Sequence, residues 1–428
     1  MAFGVSHPVA LDLEATSTDP SEAEVLEVAA VDGEGRVFHR YLATQRPLPP
    51  DHEVFQLTGI PYEEYEAKKV APKEALEELL AFLGGRPLLG HNLLRYDLPL
   101  LQRHLEEAGL PRWQGEALDT LRLAHLLFPT PPGGLDGYRL GALYAFLAGP
   151  PSARAPRALN DAQATLAVFH RLLDRGRRAL AQHPGLVRAW RELGLPEGHL
   201  FPEDEGLIKD LLAREADVEA FFVEKEGRPF PAPTDLGPDL LPKPRPAQRR
   251  MFQLVEEALS REEILLLEAP TGTGKTKGYL YPVLHQRKPT WVATHTKVLQ
   301  AQAMEELRAV AQKGYQVRAA LVKSPQDTLC ADRLLEAFLR EARSGKPGED
   351  VGAAIAVLLH YAAQRGHDLE ALPAYWHFLE GFREVRGRVG TNPDRCRREC
   401  PFASACAYQA ILRRREEAQI LVTNQAYL

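Results

Sequence analysis

The chain has 428 residues, an apolar fraction of 45%, a charged fraction of 26% and a net charge of -6, as in ordinary globular proteins of two or three domains. No global basic field draws it to nucleic acid, so any such contact must come from local patches. The N-terminus lacks the positive region and apolar core of a signal peptide, and no apolar run reaches the roughly 18–20 residues of a membrane helix; the expectation is a cytoplasmic protein without a membrane partner.

In chain order, "HPVALDLEA", "EVLEVAAVD" and "RVFHRYLA" read as strands. "KEALEELLAFL" carries apolar residues at helical spacing. "RPLLGHN" is a further strand, and helices are expected around 97–108, 116–127 and 160–173. Strands followed by alternating helices predict an α/β domain over residues 1–175. Residues 176–240 read as a helical linker region. Seven prolines between Pro229 and Pro246 mark its end, because so many prolines cannot sustain regular structure. "EEILLLEAPTGTGKTKGYLYPVLHQ" then reads as strand, glycine loop and helix, and "TWVATHT" as the next strand. These open a parallel α/β sheet over 241–324. Residues 325–412 are predicted to be a helical insertion holding all four cysteines, with "SGKPGEDVG" as a loop, and 413–428 return to the sheet through "ILVTN".

"ALDLEAT" places Asp12 and Glu14 two residues apart on an apolar strand, so both side chains share one face. Carboxylates there are costly unless paired or bound to a cation. Asp97 in "GHNLLRYDLPLL" and Asp161 in "RALNDAQATLAVF" each stand at a helix start. Four converging acids can hold two Mg²⁺ or Mn²⁺ ions ~3.5–4 Å apart, which activate water and stabilise a phosphodiester displacement. On spacing alone, Asp97 and Asp161 serve equally well as helix caps.

"EAPTGTGKT", Glu268–Thr276, fits the phosphate-loop pattern with Ala269 at the first glycine position. Gly272, Thr273 and Gly274 let backbone N–H groups turn toward phosphate oxygens. In this pattern Lys275 can reach the β- and γ-phosphates of a bound ATP, and Thr276 can ligate its Mg²⁺. Cys330 is followed after sixty-five residues by Cys396, Cys400 and Cys406 in a C-x3-C-x5-C trio. Such a set suits a [4Fe–4S] cluster or a structural zinc. Arg383, Arg386, Arg388, Arg395, Arg397, Arg398 and Arg413–Arg415 crowd the trio; they form either a phosphate-binding patch or a solvated face.

"LDLEAT", "LTGI", "GHNLLRYDLPLL", "ALDTLRLAHLLFP" and "RALNDAQAT" occur in the order that resembles DnaQ-like DEDD exonucleases. The resemblance implies an RNase H-like fold, 3′→5′ hydrolysis and a metal site of Asp12, Glu14, Asp97 and Asp161. The family places its general base, His or Tyr, five or four residues before the last aspartate. Here Pro156 and Arg157 stand at those positions, and neither acts as a base near neutral pH. His91 of "GHN" reads as structural rather than as a substitute base.

"RPAQRRM", "EAPTGTGKT", "THTKVLQAQ", the four cysteines and "ILVTNQAYL" resemble the DinG/XPD group of superfamily 2 helicases. This resemblance implies a RecA-like lobe with an iron–sulfur insertion, and 5′→3′ movement on single-stranded or forked DNA. It gives Gln248 contact with adenine, favours the cluster over zinc at the cysteines, and places a DEAH box shortly after "ILVTNQAYL". No such box occurs in the 428 residues, so the expectation is a partial motor whose remainder lies elsewhere, on a separate chain for example. The alternative is an ATP- and DNA-binding protein with little nuclease activity and no motor function.

Overall fold

The computed structural model describes residues 7–149, 157–182, 207–243, 245–344, 349–397 and 399–425. Packing divides the chain into two units. The first comprises Met1–Ile208, Phe338–Tyr361 and Leu372–Arg383; the second comprises Lys209–Ala337, Ala362–Ala371 and Glu384–Leu428.

In the first unit, three apolar runs form β1 (Val9–Ala15), β2 (Val25–Asp32) and β3 (Val37–Leu42), each antiparallel to the one before. Helices α1 (Glu53–Thr58) and α2 (Tyr62–Lys68) lead to the short strand β4 (Lys69–Val70). Then come α3 (Pro72–Leu83), β5 (Leu88–Gly90), α4 (Asp97–Glu107), β6 (Ala117–Asp119), α5 (Thr120–Leu127), α6 (Leu140–Ala148) and α7 (Arg157–Gln182). The sheet order is β4-β3-β2-β1-β5-β6, with β5 parallel to β1 and β6 parallel to β5. A central β1, with an antiparallel run on one side and parallel strands on the other, is the expected RNase H-like arrangement.

The alternation of β1 decides what each face of this sheet carries. Val9, Leu11 and Leu13 enter a core with Leu76 and Leu79 of α3 and Leu100 and Leu105 of α4. Ala10 belongs to the opposite face, clustered with Ala162, Phe169 and Leu173 of α7. Asp12 and Glu14 share the parity of Ala10 and therefore face α7.

The second unit is built on β7 (Phe222–Lys225), β8 (Thr290–Thr294), β9 (Val317–Leu321) and β10 (Ile420–Asn424), in the order β7-β9-β10-β8. β10 runs parallel to both β8 and β9, and β7 is antiparallel to β9. Helices α8 (Pro246–Arg261), α9 (Lys275–Gln286) and α10 (Lys297–Gln312) supply Phe252, Leu280, Tyr281, Met304 and Leu307 to its core. Phe230, Leu240 and Leu241 of the proline-dense stretch lie in the same core. Tyr281 Oη donates to the Leu240 carbonyl at 3.2 Å. The stretch expected as a boundary is thus part of the second unit: its prolines preclude ladders and helices but not burial.

One expected strand is absent. Residues 263–270, ahead of the phosphate loop, form no strand, and Ile264 and Leu266 are 96% and 94% exposed. A strand needs a ladder partner, and among the described residues nothing pairs with this segment.

The cysteine region carries α11 (Ala331–Ser344), α12 (Glu349–Ala363), α13 (Ala374–Phe378), α14 (Glu380–Val389) and α15 (Ala407–Arg415). Residues 345–348 of the expected loop lie outside the described residues. The expected single insertion, 325–412, is shared between the units, with 338–361 and 372–383 packing in the first. The cause is composition: Ala353–Leu359 of α12 is apolar on every side and fully buried. His360 Nδ1 donates to the Leu126 carbonyl at 2.8 Å. Tyr375 stacks on His125, centroids 4.5 Å apart and planes 9° apart.

Leu240→Ala is expected to destabilise the second unit by ~2–5 kcal/mol, the usual range for a large apolar side chain removed from a core. Urea unfolding followed by Trp291 fluorescence measures this; a linker residue would change stability by less than ~0.5 kcal/mol.

Candidate metal and nucleotide sites

Three of the four sequence-predicted acids converge, and the fourth, Asp97, stands close enough for its charge to act on Asp12. Asp12 and Glu14 of β1 and Asp161 of α7 each offer a carboxylate oxygen within 4.8 Å of the others. Asp97 heads α4, is buried, and accepts the Leu13 backbone N–H at 3.1 Å. Burial, followed by the charges of Asp97, Asp161, Glu14 and Glu27, pushes the Asp12 carboxyl well above the usual range. Burial also pushes Asp97 up to about 7, against the opposing pull of the Leu13 and Asp97 backbone N–H groups. Clustered, desolvated carboxylates of this kind are the donor set a hard divalent cation takes, so the residues fit Mg²⁺ or Mn²⁺.

Two further acids escaped the sequence reading. Asp119 caps α5, accepting from Leu121 N at 2.9 Å, and also accepts from Asn92 N at 3.0 Å and Leu94 N at 3.2 Å. It thereby ties down the loop that leads into Asp97. Burial raises its pKa, and those backbone donors partly offset the rise. Glu27 faces Glu14 across the β1–β2 ladder and hydrogen-bonds His39 Nε2 at 2.6 Å. The signal for Asp119 was its place before an apolar helix, a capping position. Glu27 gave none beyond being an acid in an apolar strand.

His91 Nδ1 lies 2.9 Å from Thr120 Oγ1, whose hydroxyl donates to the Gly90 carbonyl. Burial holds the His91 pKa down to about 4. Arg157 is the first residue of α7, and Pro156 lies outside the described residues.

The phosphate loop ends at Gly274, the left-handed N-cap of α9 with φ 82°. Lys275 Nζ donates to the carbonyls of Ala269 and Pro270 at 2.9 and 3.1 Å, and Thr273 Oγ1 to Pro270 at 2.9 Å. Gln248 is buried beneath the loop, where Nε2 donates to the Gly274 carbonyl at 3.3 Å. Lys275 and Thr276 open onto a cleft of about 750 Å³ whose other walls include Val255, Leu259, Leu265 and Ala293.

None of the four cysteines is in a disulfide. Burial, and then Cys406, raise the pKa of Cys330; burial, Cys406 and Cys400 raise that of Cys396. The thiols are close enough to feel one another's charge. Among the described residues, however, no three cysteine sulfurs lie within 4.8 Å of one another. Several of the surrounding arginines are engaged inside the unit. Arg386 pairs with Asp327 at 2.6 Å, Arg397 with Glu336 at 2.6 Å and Asp332 at 3.2 Å, and Arg414 with Glu219 at 2.6 Å and Glu224 at 3.0 Å. Arg388 also pairs with Glu384, and Arg398 lies outside the described residues.

Comparison with known proteins places two families on the chain. Residues 9–169 match the exonuclease family and residues 245–337 the DEAD/DEAH box helicase family. The 3′-5′ exonuclease DinG of Bacillus subtilis (strain 168) is 29% identical over 359 residues, covering 75% of this chain and 37% of that protein. The ATP-dependent DNA helicase YoaA of Escherichia coli (strain K12) is 38% identical over 94 residues, covering 22% of this chain and 15% of that protein. DNA polymerase III subunit epsilon of Aquifex aeolicus (strain VF5) is 29% identical over 170 residues, covering 39% of this chain and 80% of that subunit. The chain thus spans little more than a third of the Bacillus relative's length.

Asp119→Ala leaves the Asn92, Leu94 and Leu121 amides without their acceptor, a loss of ~1–3 kcal/mol. Calorimetry should show weaker Mn²⁺ binding in this variant, with ATP binding unchanged. In Gly274→Ala, the new Cβ would meet Gln248 Nε2 at 2.3 Å in a left-handed backbone. Strain of ~1–3 kcal/mol should weaken binding of a fluorescent ATP analogue about tenfold or more.

Proposed function

We infer, for a chain that joins an exonuclease domain to a DEAD/DEAH-box helicase domain, that it acts on DNA in two ways. Its first unit removes nucleotides from the 3′ end of single-stranded DNA. Its second binds ATP as part of a DinG-type motor working on single-stranded or forked DNA. The observation that carries the nuclease reading is the meeting of Asp12, Glu14 and Asp161 within 4.8 Å on one face of the sheet. With Asp97 they would hold Mg²⁺ or Mn²⁺. Bound there, the ions supply an activated water and charge stabilisation for the phosphodiester. The protein's part is to aim the acids: β1 sets two by alternation, the Leu13 amide holds Asp97, and α7 brings Asp161.

Pro156 and Arg157 provide no general base, a loss worth ~10²–10⁴ in rate, so digestion is slow. At the loop, Lys275 and Thr276 would serve the phosphates and Mg²⁺ of ATP, and Gln248 the adenine. Cys330, Cys396, Cys400 and Cys406 are proposed as ligands of a [4Fe–4S] cluster. The exposed Ile264 and Leu266, and a β8 that among the described residues pairs on one side only, favour completion of the motor sheet by further polypeptide, such as a separate chain. No described helix is long and apolar enough to cross a membrane, and a cytoplasmic place beside DNA accords with both units.

The full chain should digest a 3′-labelled single strand with Mn²⁺, and Asp12→Ala should abolish this while the circular dichroism spectrum stays the same. No digestion with either Mn²⁺ or Mg²⁺ would refute the nuclease reading and leave a DNA- and ATP-binding protein.

A further inference from the structure

Beside the cysteines lies a buried histidine, His367. His367 is 4% exposed, and neither Nδ1 nor Nε2 makes a hydrogen bond. Phe221 packs on the ring with centroids 5.1 Å apart. The Arg365 carbonyl lies beside the ring, and the charges of Asp368, Asp217 and Lys323 act on it through space, but neither nitrogen reaches full hydrogen-bond geometry with a protein partner. Buried polar atoms in native proteins are almost always paired, so two orphan nitrogens on one ring need a cause.

The cavity the ring lines supplies one. It measures about 50 Å³ and is shared with Cys330, Cys400 and Cys406. A water-sized occupant takes ~10–15 Å³ by this measure, so there is room for a group of several atoms. The backbone fixes the histidine to this wall: the His367 carbonyl accepts the Leu329 N–H at 2.8 Å, one residue from Cys330.

We propose that His367 donates a ring N–H to sulfur of the group the cysteines hold, either a sulfide of the cluster or a ligating thiolate. This rests on the cluster reading above. The chemistry matches: a neutral imidazole carries one N–H donor, and anionic sulfur is an acceptor. Four cysteines already supply four ligands, which leaves the imidazole outside the coordination sphere. Hydrogen bonds to the sulfurs help set a cluster's potential. The donor stabilises the more negative, reduced state and so raises the potential.

The test uses the full chain purified anaerobically, with iron, acid-labile sulfide and zinc assayed, absorbance read near 400 nm, and the potential measured by dye-mediated titration. His367→Leu should keep its iron and sulfide, while its potential falls. The expected shift is about tenfold in the reduction equilibrium, 59 mV for one electron. His367→Gln, which retains an N–H donor, should stay nearer the parent. An unchanged potential in the fully loaded Leu variant overturns the proposal. So does loss of iron from a folded Leu variant, which would make His367 a ligand instead. A parent protein that carries zinc, or no iron and sulfide, refutes the cluster reading itself, and the proposal falls with it. That result is read before any variant is made.

Discussion

Carboxylates crowded where water is scarce repel one another, and this constraint organises the first unit. Asp12 cannot leave the group, because β1 is the middle strand and its other face fills the main core through Leu11 and Leu13. A one-residue slip of register would exchange acids for leucines on both faces at once. Asp97 is held by a backbone amide of that same strand. Geometry therefore fixes the acids in place, and a bound cation would relieve their repulsion. Neutralising the acids in the absence of metal requires protons, which is the sense of the raised Asp12 and Asp97 pKa values.

Much of this was legible in the sequence because it rests on local patterns. Period-two alternation placed Asp12 and Glu14 on one face, and a helix start marked Asp97; Asp161, expected at a helix start, lies one turn inside α7, which begins at Arg157. The absence of a strand ahead of the phosphate loop was not legible, because "ILLLEA" has the composition of a strand while strand formation depends on a neighbour. The proline-dense stretch misled in the opposite direction. Proline count reports on hydrogen-bonding regularity, but Leu240 and Phe230 follow hydrophobicity into the core. Asp119 was overlooked because its work, holding a distant loop by backbone amides, leaves no mark in spacing.

The arginines around the cysteine trio show how composition can overstate a surface field. Arg386, Arg388, Arg397 and Arg414 each meet a carboxylate of the second unit. Exposed pairs of this kind contribute little stability, about 0–1 kcal/mol. Their larger effect is to cancel charge that a phosphate backbone would otherwise meet. Arg414 also lies over the Phe222 ring, 4.2 Å from its centroid, which orients it toward β7.

The first unit is continuous in space but not along the chain. His125 has its ring covered by Tyr375, and Leu126 has its carbonyl met by His360. A ribosome adds roughly 5–20 residues per second, so α5 emerges on the order of tens of seconds before the residues that cover it. The first unit is therefore finished only after most of the phosphate-loop unit has been translated.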